Sequence, residues 1–475
     1  MSGSAETADV EAYLAARMET AIEELRAFCR IASVSTDPSC KADIAEAAAF
    51  VSERLSLAGF PSVEIVETGG HPAVVAEWCE KPGAPTILVY GHYDVQPPDP
   101  LEKWLTPPFE PSIRGGRLYA RGVSDDKGPL LIPILVAEAF ARTRGSLPLN
   151  VKVFVEGEEE SGSPHLAPTV ERLRQRLAAD LVVSADGAMW RSDLPSVTVA
   201  SRGLVALDVT VTGAAKDLHS GRHGGSAPNP VRTLVAMLAT LHDEAGLVVV
   251  PGFDDGVDLP DPAIREAMGA SNFDVTGYFR DIGAELPDPL PSPEELLERQ
   301  WLVPTLEFNG IAGGYSGPGT KTVIPASTTV KITCRLVAGQ DPQAALSAIE
   351  AHLRCMLPSG YRMSIERHGP GSAAFALDKD DPGLAVTEDV VEGIFGQRPL
   401  RVAMGATIPI GAVFKDALGA PVVFFSFSTA DEDYHAPNEF FRLANFEKGM
   451  VAWARLLLRL SGELTPRNPK APPSP

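Results

Sequence analysis

Val89-Tyr-Gly-His-Tyr-Asp-Val-Gln96 closes the apolar run Thr86-Ile-Leu-Val-Tyr90 with a histidine and an aspartate two residues apart. In extended backbone, side chains two apart share a face, so His92 and Asp94 form a pair. A histidine held by a neighbouring carboxylate suits a metal site, because the acid sets the tautomer and orientation of the imidazole. Standing alone, a strand-end histidine is more often a structural hydrogen-bonding residue. The meaning of the pair rests on whether other strand ends supply further ligands.

Working outward, strands and helices alternate. Val10 to Ile31 carries apolar residues at three- and four-residue spacing and predicts one amphipathic helix; a second runs from about Asp43 to Ala58 and ends at Gly59. Val63 to Val66 and Ala73 to Trp78 then precede the quoted strand, so the first region reads as an α/β layer. Leu118-Tyr-Ala-Arg-Gly-Val-Ser-Asp-Asp-Lys-Gly-Pro129 predicts a short strand, a tight turn bearing Asp125 and Asp126, and a helix. Val151 to Val155 delivers Glu156-Gly-Glu-Glu-Glu-Ser-Gly-Ser163 into another helix, and Leu181-Val-Val-Ser-Ala-Asp186 is a strand ending in an acid.

Acids at turns are commonly caps, and acid runs are commonly solvated faces. Here they recur where open α/β sheets collect functional groups, beyond the carboxyl ends of strands. His92/Asp94, Asp125, Glu159/Glu160 and Asp186 all occupy such places.

From Val205 the character changes. Strands at 205–212, 305–309, 329–337 and 361–367 with helices at about 230–241 and 341–356 give the order β-α-β-β-α-β, a ferredoxin-like split βαβ. An acidic, proline-rich excursion from about Pro251 to Pro293 interrupts it. After about residue 376 the α/β pattern returns, through Gly405-Ala-Thr-Ile-Pro409, Val422-Val-Phe-Phe-Ser-Phe427 and Asp431-Glu-Asp-Tyr-His-Ala-Pro-Asn438 to a last amphipathic helix. The expected organisation is therefore a discontinuous α/β domain, residues 1–204 and 377–475, with an inserted α+β domain at 205–376. A polar, proline-rich tail from Thr465 is expected to be disordered.

Composition narrows the function. With 62 acidic against 41 basic residues the formal charge is −21, which argues against nucleic acid and anionic membrane as partners. Neither a membrane-spanning apolar run nor a secretory pattern at the start is present, so a cytoplasmic location is expected. Cys29, Cys40, Cys79, Cys334 and Cys355 are scattered with no C-x-x-C pair, the usage of reduced packing cysteines. Any metal would be held by histidine and carboxylate.

A two-metal hydrolase needs a bridging carboxylate, a histidine and a carboxylate for each ion, and a base for the attacking water. The chain holds such a set: His92 with Asp186, Glu160 with His435, Asp125 to bridge and Glu159 as base. Spacing alone does not bring them together in space, so a metal site and a set of strand-end acids stand as equal readings.

Five ordered stretches tip that balance. Gly91-His-Tyr-Asp-Val-Gln-Pro97, Arg121-Gly-Val-Ser-Asp-Asp-Lys-Gly-Pro129, Glu158-Glu-Glu-Ser-Gly-Ser163, Lys321-Thr-Val-Ile-Pro325 and His435 together resemble the zinc exopeptidase family of carnosinase, cytosolic nonspecific dipeptidase, aminoacylase and the acetylornithine and succinyl-diaminopimelate deacylases. The resemblance spans about residues 20 to 460 and is closest to the dipeptidase branch.

It implies a zinc-peptidase catalytic domain with an inserted lid and dimerisation domain. It also implies two divalent ions per subunit, zinc with manganese or cobalt as alternatives, on His92, Asp125, Glu160, Asp186 and His435. Asp94 orients His92, and Glu159 is general base and acid. His219, by its own context a loop residue satisfying local backbone groups, is implied to reach a second subunit's active site and stabilise the oxyanion. Thr322, Arg335 and a hydroxyl in a Gly-Gly-Ser-Ile-Pro-like motif are implied to bind substrate; here that motif reads Gly405-Ala-Thr-Ile-Pro409, so Thr407 stands where serine is usual. Arg335, otherwise a surface or ion-pair residue, then clamps a carboxylate.

The expected function is hydrolysis, by a homodimer, of dipeptides or short peptides with a free C-terminal carboxylate. N-acyl amino acid deacylation and carboxypeptidase action fit the same residues. A catalytically inactive metal-binding scaffold is the reading from another class; Glu159 and His219 argue against it, because neither is needed to hold metal.

Overall fold

A strand that is apolar on both faces needs cover on both faces, and Thr86–His92 is buried from Ile87 onward. In this computed structural model, which describes residues 6–466 except Ile408 and gives Pro409 as backbone alone, it is an inner strand of a six-stranded mixed sheet. The strands are β1 (Ser62–Val66), β2 (Ala73–Trp78), β3 (Thr86–His92), β4 (Asn150–Glu156), β5 (Leu181–Ser184) and β6 (Val422–Phe424), in spatial order β1-β2-β4-β3-β5-β6. β1, β2 and β4 pair antiparallel; β4, β3, β5 and β6 run parallel.

The helix Gly128–Arg144 is buried through Phe140, and its Leu130, Pro133, Ile134 and Ala137 meet Val89, Val151 and Val153 of the sheet together with Trp453 and Leu457 of the last helix, Leu443–Glu463. Burying side chains of this size contributes roughly 1.5–3 kcal/mol each, so this interior holds β3 and β4 firmly beneath whatever their ends carry.

The single helix expected over Val10 to Ile31 is two, Ala8–Ala16 and Met18–Cys29. The break falls at Arg17, whose guanidinium is held by Glu24 at 2.6 Å and by Glu138 at 2.7 Å. A low-exposure ion-pair group, joined by Arg54 at 2.8 Å from Glu138, sets the local backbone here in place of helical periodicity.

The chain divides into two compact units. The first comprises residues through Val199, Leu377–Val402 and the chain from Val413; the second comprises Ala200–Ala376 and Ala403–Ala412. In the second, strands Thr305–Gly313, Ser327–Leu336, Gly203–Thr212 and Arg362–Arg367 lie in that spatial order, all antiparallel, with helices Pro230–Leu238 and Pro342–Met356 following the first and third strands in sequence. Strict alternation of burial along Gly203–Thr212 places Val205, Leu207, Val209 and Val211 in a core with Leu234, Met237, Leu346 and Ile349. The edge strand is longer than expected, reaching Gly313, and is exposed from Glu307 onward.

Helices Pro262–Ala270, Val275–Asp281 and Pro293–Trp301 occupy the acidic excursion and the residues after it. Among the described residues no helix is long and apolar enough to cross a membrane. Beyond Pro466 the expected disordered tail lies outside the described residues.

Candidate metal centre

Because β4, β3 and β5 are parallel neighbours, their carboxyl ends lie side by side. β3 ends on His92, β4 runs on to a turn at Glu159–Ser161, and Asp186 follows β5 by two residues. Asp125 sits in the turn Val123–Lys127 that opens the helix Gly128–Arg144, and the Asp125–Asp126 peptide is cis. Gly91 makes room for this turn. A Cβ there would lie 2.7 Å from Asp126 Oδ2, the oxygen that accepts the His92 backbone N–H at 3.2 Å.

Asp125 is the shared element. Its Oδ1 is 3.1 Å from His92 Nε2 and its Oδ2 is 3.0 Å from His435 Nε2, while Glu160 Oε2 lies 3.2 Å from the same His435 nitrogen. Ligand atoms of His92, Asp125 and Asp186 fall within 4.8 Å of one another, as do those of Asp125, Glu160 and His435. Two three-residue sets thus have one carboxylate in common. His92 and Asp94 are fully buried, whereas the His435 side chain is 51% exposed, so the group opens to solvent on the His435 side.

Asp94 does two things. Its main-chain carbonyl is 3.1 Å and its Oδ1 3.4 Å from His92 Nδ1, and its carboxylate oxygens accept the backbone N–H groups of Glu159 at 3.2 Å and Glu160 at 3.1 Å. One residue therefore positions both the imidazole, through its carbonyl and carboxylate, and the glutamate turn. Gln96 adds a hydrogen bond of 2.9 Å from its amide to Glu160 Oε2.

Two glutamates hold the loops that carry Asp125 and His435. Glu439 accepts from Arg121 Nη1 and Gly122 N, both at 2.8 Å, from Ser124 N at 2.9 Å and from Asp125 N at 3.2 Å. Glu432 accepts from Ser124 Oγ at 2.7 Å, Thr429 N at 3.1 Å and Arg442 Nη1 at 3.1 Å. Asp433, His435 and Asn438 all have positive φ, 52°, 62° and 69°. Such conformations cost on the order of 1–3 kcal/mol each at non-glycine residues and persist only where surroundings hold them. The Glu432 and Glu439 networks bracket this loop.

Sequence reasoning passed over Glu439, Glu432, Gln96 and the scaffolding part of Asp94. Gln96 stands in the stretch first quoted, and Glu439 follows His435 by four residues, but nothing in their spacing says that backbone N–H groups over three hundred residues away need acceptors.

The site carries more negative charge than its own cations balance. Burial raises Glu159 well above the usual carboxylate range, His92 works against this, and Asp186 and Asp125 reinforce it. Burial also raises Glu160, with Asp125 adding to it, and lifts Asp186 to about 6 against the pull of His92. Burial would likewise raise Asp125, but hydrogen bonds from His435 and His92 hold it well below the usual range. Hydrogen bonds to Asp125 and Glu160 lift His435 to about 10; for His92, burial opposes protonation and the Asp125 and Asp94 carboxylates outweigh it.

Such a set suits two divalent cations. Four positive charges face the three ligand carboxylates, and the donors are the nitrogen and oxygen atoms that borderline and hard divalent ions accept. Buried Asp126 Oδ1, which has no hydrogen-bond partner, shows how little else here neutralises acid.

The remaining predicted residues belong to the second unit. His219 is exposed and pairs with Val323 in a two-stranded ribbon beside Thr322, whose carbonyl accepts Ser220 N at 3.0 Å. Gly221 N donates to His219 Nδ1 at 3.0 Å, which leaves Nε2 to carry the proton of the neutral ring. Thr322 is exposed. Arg335, on the strand Ser327–Leu336, donates from Nη1 to Thr407 Oγ1 at 2.7 Å, so these two are together.

The family pattern of peptidase family M20/M25/M40 matches residues 88–459, and the chain belongs to that family. The human Beta-Ala-His dipeptidase is 32% identical over 396 residues, 82% of this chain and 78% of that protein. Among solved structures, the dipeptidase Dug1p of Saccharomyces cerevisiae is similar with a TM-score of 0.78 at 28% identity, over 97% of this chain and 99% of that one. An M20 family metallo-carboxypeptidase of Sulfolobus solfataricus is similar with a TM-score of 0.81, also at 28% identity, over 93% of this chain and 99% of that one.

Proposed function

We propose that this M20-family peptidase hydrolyses dipeptides through a pair of metal ions held by His92, Asp125, Glu160, Asp186 and His435. The observation that carries the reading is the sharing of Asp125 between two ligand sets, with Glu159 next in sequence to one of the ligands. When bound, divalent ions, zinc in the first instance with manganese and cobalt compatible with the same donors, supply electrophilic charge for the scissile carbonyl and acidify water.

The chain's own groups do the rest. Glu159, whose burial favours holding a proton, takes one from the attacking water and returns it to the leaving amine. Asp94 keeps that turn and the His92 ring in place. His219 offers its Nε2–H to the oxyanion that forms at the carbonyl, contributed in trans by a second subunit. Arg335, steadied by Thr407, pairs with the substrate's C-terminal carboxylate, and Thr322 supplies a further polar contact.

The catalytic role is assigned to the first unit and the lid and dimerisation role to the second. An exposed edge strand bearing Phe308 and Ile311, 39% and 53% exposed, supports homodimer formation there. Five unpaired cysteines support a reducing, cytoplasmic setting.

Carboxypeptidase action on longer peptides is the second reading, favoured by the structural likeness to the Sulfolobus enzyme. One experiment decides between them: steady-state hydrolysis of β-Ala-His, other dipeptides, N-acyl amino acids and tetrapeptides after loading with zinc or manganese. Highest kcat/KM on dipeptides is expected. Preference for the tetrapeptides overturns the dipeptidase reading in favour of the carboxypeptidase one, and inactivity on every substrate overturns both.

A further inference from the structure

A second arginine stands beside the one given a substrate role. Arg202 immediately precedes the strand Gly203–Thr212, two residues before Leu204, and Leu204 pairs with Arg335 across neighbouring strands; the two guanidinium groups are near enough for the Arg335 charge to act on Arg202. Both are anchored on one short segment. Arg202 Nε donates to the Gly405 carbonyl at 2.8 Å, the Arg202 backbone N–H lies 3.2 Å from the carbonyls of Met404 and Ala406, and Arg335 Nη1 donates to Thr407 at 2.7 Å.

Neither guanidinium is in a salt bridge among the described residues, although both are partly buried and the chain as a whole is acidic. Arg202 Nη1 is buried with no hydrogen-bond partner. Burial, with Arg335 beside it, lowers Arg202 to about 10 against the pull of the Glu307 carboxylate, which is not within salt-bridge distance, and burial lowers Arg335 as well. A buried cationic N–H without an acceptor is costly unless an anion comes to meet it. Gly405 keeps the seat open: a Cβ there would lie 2.9 Å from the Gln300 carbonyl and 3.3 Å from Arg202 Nη2.

We infer that Arg202 is a second substrate-binding guanidinium, which joins Arg335 in gripping the C-terminal carboxylate and sets the preference for free acids over amides. A carboxylate has two oxygens and about four acceptor directions, enough for one arginine held by Thr407 and another held by Gly405. A neutral amide presents an N–H to this pair of donors and meets repulsion. The inference rests on the substrate-carboxylate role given to Arg335.

The test compares kcat and KM for a dipeptide and the same dipeptide as its C-terminal amide, in the metal-loaded enzyme and in Arg202→Gln and Arg202→Lys. Loss of one charged contact is expected to raise KM for the free acid roughly 10- to 100-fold in the glutamine variant, with kcat and amide turnover changed far less. The lysine variant, which keeps the charge without the fork, falls between and provides the reading should the glutamine variant not fold. An acid-to-amide ratio that stays at the wild-type value in the folded variants overturns the role of Arg202, whatever happens to overall activity. Wild-type enzyme that cleaves no dipeptide overturns instead the proposed function beneath it.

Discussion

Asp94 accepts the backbone N–H of Glu159 at 3.2 Å while the same Asp94 oxygen lies 3.4 Å from the His92 ring. The proposed base and a proposed metal ligand are thus tied through one buried carboxylate. Asp94→Asn keeps the size but turns one acceptor into a donor that faces an N–H. Metal affinity is expected to fall roughly 10- to 100-fold, the usual cost of losing a partner behind a ligating histidine. Equilibrium dialysis against a chelator series measures this; unchanged affinity would show that Asp94 does not orient His92.

Glu159, the proposed base, is next in sequence to Glu160 but belongs to neither ligand set. Glu159→Gln is expected to lower kcat by about 10²–10⁴-fold, the range for a lost general base, with both metals retained. Metal content by emission spectroscopy alongside kcat separates this from loss of the site. A variant with near-wild-type kcat would sink the assignment.

Glu439 holds the Asp125 turn through four donors, one of them the guanidinium of Arg121, which is itself 1% exposed. Glu439→Ala leaves that cation buried without its carboxylate partner, its Nη2 still donating to the Pro97 carbonyl, and loss of such a partner costs about 3–5 kcal/mol. A clear drop in melting temperature is expected, larger than that of Glu439→Gln, which keeps one oxygen acceptor. Melting temperatures of both variants equal to that of the wild type would refute a structural role for the carboxylate.

Metal loading should release protons and weaken as pH falls. In the metal-free protein His435 is lifted to about 10 by Asp125 and Glu160, so at neutral pH its imidazole carries a proton that a metal must displace. Because ligation needs the neutral ring, apparent affinity rises with pH up to about 10. Titration calorimetry in buffers of different ionisation enthalpy counts the protons released. A count of zero at pH 7 would contradict the protonated state.

Much of the site was legible from the order of motifs. His92, Asp125, Glu160 and Asp186 follow strand ends or open a helix in stretches whose hydrophobic runs mark the strands clearly. Its support was not, because Glu439 and Glu432 serve backbone groups, and a backbone N–H has no residue type to read. Nor was the break at Arg17, where a tertiary ion pair with Glu138 overrides a continuous amphipathic pattern.

By itself the sequence determined the buried strands, the alternation that builds an α/β layer, the β-α-β-β-α-β pattern of the second unit and the residue types able to hold divalent ions. These are local properties, written in period, composition and short spacing. Only the tertiary structure decided that Asp125 lies between His92 and His435, and that Arg202 shares an anchoring segment with Arg335. Convergence of residues hundreds of positions apart depends on parallel strand order and on which buried donors find acceptors, and neither is a property of any one stretch of chain.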